Sequence, residues 1–358
     1  MNREPLVTVG WDVGGVQVKA ARVESRAGAP CAVSTAVRPF EVWRGRERLP
    51  GVLRGVAGEL GIDVAAPLAL TMTAELSDAF RTKREGVLFV MDGVREAFPR
   101  NPVFVLDRNG AFAALREARS RPLEFAATNW VAAALYAASR VDDCILVDVG
   151  STTTDIVPIR RGFLACEGRT DLARLTAGEL VYTGVLRTNP NTLTAAVPVR
   201  GRPCRVAAEH FAAMADAYVL LGRLSPADYT CSTPDGRDVS PAACAERLAR
   251  LVCADREMLS EAEIVGVARY LAERQLQVVS EGLLQVMSRW DAPAEASLAP
   301  AEALVAPAGV GAFLAAEAAA RLGLAVLPAG SIWGDEAVAL PAAAAACLLA
   351  ASPEVARP

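Results

Sequence analysis

Two short segments of this sequence pair a carboxylate with a glycine-rich turn: Asp12-Val13-Gly14-Gly15 and Asp148-Val149-Gly150-Ser151, the second continuing as Thr152-Thr153. Glycines in such turns let backbone N–H groups approach an anion closely, and they permit positive φ without a Cβ clash. A third glycine turn, Gly309-Val310-Gly311, comes late in the chain. The three together point to phosphate-type anion binding. The formal net charge is −4 and the pI near 5.4, so an anion site must be local, built from backbone amides and a few cations. The same balance argues against a nucleic-acid or anionic-membrane partner. Only two lysines occur, Lys19 and Lys83. Lys19 follows Asp12 at the offset at which Asp155 follows Asp148, and it reads either as a phosphate ligand or as a solvated strand residue.

Strands must present these turns. Val7 to Trp11 reads as a strand, and Val16 to Val23 resumes the alternation after the first turn. Ile145 to Val147 and Thr152 to Ile159 repeat the arrangement around the second. The copies lie too far apart for a solenoid repeat and fit a duplicated domain. Pro67–Thr73, Gly86–Met91 and Pro102–Leu106 read as further strands, with Asp107-Arg108-Asn109-Gly110 as a hairpin turn. Thr128 reads as the N-cap of an alanine-rich helix from Asn129 to about Ser139. From Ala207 to about Trp290 the pattern is almost all helical, interrupted by the turn-like Ser232-Thr233-Pro234-Asp235-Gly236 and with Glu261 to Met287 at roughly helical spacing, and 291–300 reads as a Pro/Ala linker. Leu304–Ala306, the third glycine turn and Ala312–Leu322 form a strand–turn–helix unit, and a helix from about Asp335 to Ala350 closes the chain.

A chain of 358 residues with 53% apolar and 22% charged residues is long enough for two domains and too apolar for general disorder. The expected division is 1–125 joined by the C-terminal helix within 331–358, and 126–330 with a helical insertion over about 206–290. A single histidine, His210, excludes a multi-histidine metal site, and it is read as structural. The eight cysteines form no CxxC pair, which excludes zinc ribbons and thioredoxin-type redox sites. Met1 to Pro5 has no apolar signal-type segment, and the apolar run over 337–351 is too short to span a bilayer. A reduced, cytoplasmic protein is expected.

In chain order the three glycine turns resemble the phosphate 1, phosphate 2 and adenosine motifs of the sugar kinase–actin–chaperone superfamily. The resemblance implies an α/β fold of two ribonuclease-H-like domains facing a cleft. It also implies Asp12 and Asp148 at facing strand ends, holding Mg²⁺ directly or through water, as suits carboxylates and a hard cation. Gly14, Gly15, Lys19, Gly150, Ser151, Thr152, Thr153, Gly309 and Gly311 would then bind phosphoryl oxygens. Gly309-Val310-Gly311-Ala312 departs from the adenine-pocket pattern. Thr71 to Asp78, with Arg81, Arg84 and Glu85-Gly86-Val87, resembles the hydantoinase/oxoprolinase-related branch, and within it the methanofuran-biosynthesis group. Trp11 to Gly15, Ala126-x-x-Asn129-Trp130, Asp148 to Asp155, Arg169-Thr170-Asp171 and Gly178 to Val185 with Arg187-Thr188 match that group's motifs.

This second resemblance implies a transferase that joins an aminomethylfuran methyl diphosphate to a tyramine-type phenol, forming an aryl ether and releasing pyrophosphate. Small-molecule substrates are therefore expected, with Mg²⁺ as cofactor, neither nucleic acid nor membrane as partner, and a homodimer among the open assemblies. Asp12, Asp148, Asp155 and Glu75 are the candidate catalytic carboxylates, Asp155 or Glu75 accepting the phenol's proton. Asp78, Arg81, Asn129, Tyr182, Thr183 and Arg187 are candidates for substrate binding. Several have plainer readings: Glu75 and Asp78 as helix caps, Arg81 with Lys83 and Arg84 as a solvated face, Tyr182 and Thr183 as core. Arg187 suits an anionic substrate group through bidentate pairing. An ATP-dependent kinase and a non-catalytic nucleotide-responsive module are the competing function classes.

Overall fold

The apolar runs around the two hairpins form strands, and the chain between them forms the helices that cover those strands. The computed structural model describes residues 5–26, 29–290, 303–328, 331–334 and 339–355. The chain divides into two compact units, residues 1–143 with 159–173 and 329–358, and residues 144–158 with 174–328.

In the first unit, β1 (Leu6–Val13), β2 (Gln17–Arg26), β3 (Ala29–Pro39), β4 (Leu68–Met72), β5 (Val103–Leu106) and β6 (Phe112–Ala114) form one sheet, ordered β3-β2-β1-β4-β5-β6. The first three strands are antiparallel, β4 and β5 add parallel to β1, and β6 returns antiparallel. Every residue of β4 is buried, as a central strand covered on both faces requires. The helices here are α1 (Leu49–Glu59), α2 (Lys83–Ala97), α3 (Leu115–Ala118) and α4 (Asn129–Ala138). Trp11, Leu49, Leu53, Leu70 and Met91 sit in the core between sheet and helices. The alanine-rich C-terminal helix, Leu340–Ala350, packs on β1 and α4. Gly10 permits that seat, because a Cβ there would lie 1.8 Å from the Ala342 carbonyl oxygen. The Thr8 hydroxyl donates to the Ala346 carbonyl at 3.0 Å and pins the same contact.

The second sheet is ordered β10-β8-β7-β13-β14, from β7 (Cys144–Val149), β8 (Thr154–Arg160), β10 (Leu180–Val181), β13 (Leu304–Ala308) and β14 (Ala325–Val326); β9 (Phe163–Leu164) pairs with the end of β8. Parallel strands again add beside the hairpin, so β8-β7-β13-β14 repeats the order β2-β1-β4-β5. The sequence repeat is thus a repeat of sheet topology. The second unit also holds α6 (Met214–Leu220), α7 (Pro241–Arg250), α8 (Glu261–Met287), α9 (Ala312–Arg321) and a separate ribbon of β11 (Ala196–Val199) and β12 (Arg202–Arg205); α5 (Asp171–Ala177) spans the division at residue 173, and the C-terminal helix of the first unit is α10. Ser260 and Glu263 close a reciprocal capping box at the start of the 27-residue α8. Ile264, Val267, Leu271, Val279, Leu283 and Val286 then face the core at helical spacing.

Three local expectations fail, the first in the run over 207–290, where only α6, α7 and α8 are α-helical and 207–213 and 221–240 lie outside them. Gly86–Met91 lies inside α2 and is not a strand. Thr82, whose side chain accepts from the Glu85 amide, caps that helix and decides the matter. Thr128 precedes α4, but its buried hydroxyl makes no capping bond. The linker over 291–300 and the expected helical residues 335–338 lie outside the described residues. Among the described residues no helix is long and apolar enough to cross a membrane.

Candidate functional site

In the second unit the candidate residues converge on the β7–β8 hairpin. Asp148 is the next-to-last residue of β7, and the Gly150 amide donates to the Thr153 carbonyl at 2.8 Å to close the turn. β13 lies parallel beside β7 with Ala308 opposite Asp148, which brings the third glycine turn onto the carboxylate. Gly309 has φ 78°, and a Cβ there would sit 2.3 Å from Asp148 Oδ1 and 2.4 Å from the Val149 carbonyl oxygen. Only glycine fits. Gly311 donates its amide to Val149 at 2.9 Å, and a Cβ on it would meet the Val149 and Val185 side chains at 2.5 and 2.7 Å. The second and third glycine motifs therefore form one structure around Asp148. Ser151, Thr152 and Thr153 are half-buried beside it, with the Ser151 and Thr152 hydroxyls 3.4 Å apart.

The 183–188 loop folds back onto this hairpin. The amides of Val185, Leu186 and Arg187 donate to the Gly150 and Ser151 carbonyls at 2.9–3.2 Å. Gly184 is required there, because its Cβ would lie 2.5 Å from the Thr152 amide nitrogen. Thr183 is buried, its hydroxyl accepting from Gln275 Nε2 at 2.8 Å and lying 3.1 Å from the Thr188 hydroxyl. Gln275 also donates to the Gly184 carbonyl and accepts from the Tyr218 hydroxyl, so α6 and α8 hold the loop against the turn. Thr183 is thus placed as an anchor within the fold. Tyr182 is 60% exposed. Asp155 is buried, and its Oδ1 accepts from Arg174 Nη1 at 2.8 Å while Arg174 Nη2 reaches the Glu179 carbonyl. Gly184 and Thr188 fall within motifs matched in the sequence without a part of their own, and Gln275 and Arg174 were not singled out; all four brace this hairpin and its loop. The Gln275 contacts, 91 and 92 residues away in sequence, leave no local signal.

In the first unit, Asp12 is buried near the end of β1, with the Thr71 hydroxyl 3.5 Å from its Oδ1. Lys19 stands directly across from it in the antiparallel register, so the two side chains share a sheet face. The Gly14 amide donates to the Gln17 carbonyl at 2.9 Å, the same turn closure as in the second hairpin. Neither Gly14, Gly15 nor Gly150 adopts positive φ, so the expected left-handed backbone is absent from these turns. A Cβ on Gly15 would meet nothing within 4 Å, and one on Gly150 would make only ordinary contact with the Thr153 carbonyl. The fold itself does not demand glycine at either position.

The other first-unit candidates lie on different elements. Glu75 is 1% exposed, and burial raises its pKa from 4.5 to about 7. Neither carboxyl oxygen makes a hydrogen bond of normal geometry; its own amide and that of Ala127 give only weak compensation. Gly86 packs against it, and a Cβ there would lie 2.5 Å from the Glu75 Cα. Asp78 and Arg81 are exposed, and the Arg81 amide donates to Glu85 Oε2. Asn129 opens α4, its side-chain oxygen accepting from the Trp130 amide at 2.8 Å.

Among the described residues no group of three or more histidine, cysteine, aspartate or glutamate side chains is clustered to hold a metal ion. Mg²⁺ demands less, since it retains waters and takes one or two carboxylates together with substrate phosphates. The oxygen donors beside Asp148, with Ser151 and Thr152 next to it, fit that requirement.

Comparison with known proteins then fixes the family. The hydantoinase/oxoprolinase family model matches residues 68–350. This chain belongs to that family. It is 37% identical over 287 residues to a Methanocaldococcus jannaschii protein, (4-{4-[2-(gamma-L-glutamylamino)ethyl]phenoxymethyl}furan-2-yl)methanamine synthase, covering 80% of this chain and 83% of that one. A Methanococcus vannielii protein of the same name is 34% identical over 148 residues, 41% of this chain and 66% of that one. Both relatives are synthases by name. A nucleotide-free acetone carboxylase structure aligns over 97% of this chain and 70% of its own, with TM-score 0.52 and 10% identity. At that identity the likeness speaks for the fold alone.

Proposed function

We propose that this hydantoinase/oxoprolinase member is a methanofuran-biosynthesis synthase that forms the phenoxymethylfuran ether of its relatives' product name. It would join an aminomethylfuran methyl diphosphate to the phenol of a γ-glutamyltyramine-type substrate. The observation that carries this reading is the 37% identity over 80% of the chain to a synthase so named. The Asp148 hairpin supplies the matching chemistry, because Gly309 presses a glycine-only turn against the carboxylate at the end of a strand.

In the reaction the bond between the furan-attached CH₂ and the diphosphate oxygen breaks, and pyrophosphate leaves with the electron pair. Electron donation from the furan ring stabilises the positive charge left on the CH₂. The phenol oxygen then bonds to that carbon, and the phenol proton is lost. Charge builds on the departing diphosphate, so fixed N–H donors and hydroxyls aimed at it lower the barrier. Gly14, Gly15, Gly150, Ser151, Thr152, Thr153, Gly309 and Gly311 are assigned to that task, with Lys19 beside Asp12 adding positive charge. Asp148 is assigned as the carboxylate that would hold Mg²⁺, and Asp12 as the corresponding carboxylate of the first hairpin; Mg²⁺ would supply neutralisation of charge on the diphosphate.

A free phenol has a pKa near 10, but its proton becomes strongly acidic as the oxygen attacks a cation. A weak carboxylate base therefore suffices, and Asp155, oriented by Arg174, is assigned as the acceptor. Arg187, half-buried with its amide on Ser151, is assigned to an anionic group of the substrate. Steady-state release of pyrophosphate from the furan diphosphate and γ-glutamyltyramine with Mg²⁺ and no nucleotide tests the proposal. Strict dependence on ATP, split to ADP in step with product, would replace it with the kinase reading.

A further inference from the structure

A cavity of about 260 Å³ opens in the first unit between the start of α2, the 123–127 segment and the loop entering α5. Its wall carries Lys83, Arg108, Arg169 and Asp171 together with the apolar Leu123, Ala126 and Ala127. The volume is small for a whole drug-sized ligand and suits one polar end of a longer molecule. Lys83 donates to Asp171 within the wall. Arg108 and Arg169 form no ion pair among the described residues. Arg108 is held in place by its turn. Its amide bonds the Glu124 carbonyl, and the neighbouring Asp107 carboxylate accepts from the Asn109 and Ala111 amides.

Two further features converge on the same wall. Ala127 has φ 52°, a left-handed conformation that costs an alanine roughly 1–2 kcal/mol and is concentrated at ligand clamps. Behind it lies Glu75, almost fully buried, with no normal hydrogen bond to either carboxyl oxygen and electrostatically coupled to Lys83 and Asp171. A buried polar group left without partners calls for an explanation in ligand or solvent.

We propose that this cavity binds the α-amino-acid head of the substrate's γ-glutamyl group, its α-carboxylate on Arg108 and Arg169 and its α-ammonium on Asp171. The pattern is zwitterionic. Two unpaired guanidiniums suit a carboxylate, which they can engage in bidentate fashion. A carboxylate in the same wall opposes a phosphate dianion and complements an ammonium. Leu123, Ala126 and Ala127 line the path for the methylenes. This assignment rests on the γ-glutamyl phenol proposed above as the substrate.

The test is calorimetric binding to the full chain of three probes: γ-glutamyltyramine, tyramine, and γ-glutamylethylamide, which carries the head and no phenol. Wild-type protein is expected to bind γ-glutamyltyramine at least tenfold more tightly than tyramine. Arg108→Gln and Arg169→Gln are each expected to weaken both γ-glutamyl probes about tenfold or more, the worth of a charge-assisted hydrogen bond, and to leave tyramine unchanged. Arg169 is exposed, so its variant keeps the fold. Absence of γ-glutamyl preference in the wild type, or equal weakening of tyramine, overturns the assignment. The reaction fails separately: loss of head binding in the variants without pyrophosphate release in the wild type retains the cavity and removes the synthase reading. Pyrophosphate release with unaltered preference in the variants does the reverse.

Discussion

Replacing Glu75 by glutamine should make the first unit more stable at alkaline pH. The Glu75 carboxyl is held near pKa 7 by burial, against 4.5 when exposed. Between those values the folded chain keeps a proton that the unfolded chain has released, so stability falls as pH rises through this window. Below 4.5 the penalty is absent; above about 7 it is complete. The gap corresponds to about 3 kcal/mol. Glutamine has the shape of the neutral acid and cannot ionise, so E75Q should match the wild type near pH 4 and exceed it by about 3 kcal/mol near pH 8.5. Urea unfolding followed by tryptophan fluorescence suits the measurement, because Trp11, Trp43, Trp130 and Trp333 lie in this unit and Trp290 in the other. With ordinary urea dependence, the midpoint difference should grow by roughly 1–2 M over that pH range. Parallel pH profiles for the two proteins would refute the reasoning, since the carboxyl would then ionise without cost.

Asp148→Asn should lower Mg²⁺-dependent turnover by about 10²–10³-fold with an unchanged melting temperature, the scale of losing one element of electrostatic stabilisation; normal rates and normal Mg²⁺ dependence would make the turn only a turn. Gly309→Ala should cost turnover and at least about 1–2 kcal/mol of stability through its left-handed backbone, whereas Gly15→Ala should leave the melting temperature alone and weaken inhibition by Mg²⁺-pyrophosphate. Gln275→Leu strands the Tyr218 hydroxyl in the core and removes a donor from Thr183 and from the Gly184 carbonyl, and denaturant unfolding should register a loss of about 1–3 kcal/mol.

The hairpins, their repeat and the order of the glycine motifs were legible because each is a local pattern. Alternation and turn chemistry set β1–β2 and β7–β8, and the Glu261–Met287 periodicity matched α8 end to end. Gly86–Met91 misled because six apolar residues suit a buried strand and a helix face equally. The Thr82-Lys83-Arg84-Glu85 capping signal was the residue-level evidence for the helix. Glycine at 309 and 311 was seen as a turn, but its cause lies across the sheet in Asp148 and Val149. Gln275 sits 92 residues from the Thr183 hydroxyl it bonds, beyond any local reading. Glu75 was visible as a carboxylate beside an apolar run, whereas its isolation from hydrogen-bond partners comes only from packing.

The most direct measurement of the proposed reaction is product formation in a nucleotide-free mixture. Purified protein, the aminomethylfuran methyl diphosphate, γ-glutamyltyramine and Mg²⁺ should give one pyrophosphate for each aryl ether formed, with Mg²⁺-pyrophosphate competing against the furan substrate. No ether in that mixture, and ether only when ATP is added and cleaved, would contradict the proposed chemistry while leaving the proposed phosphate-binding role of the hairpins untouched.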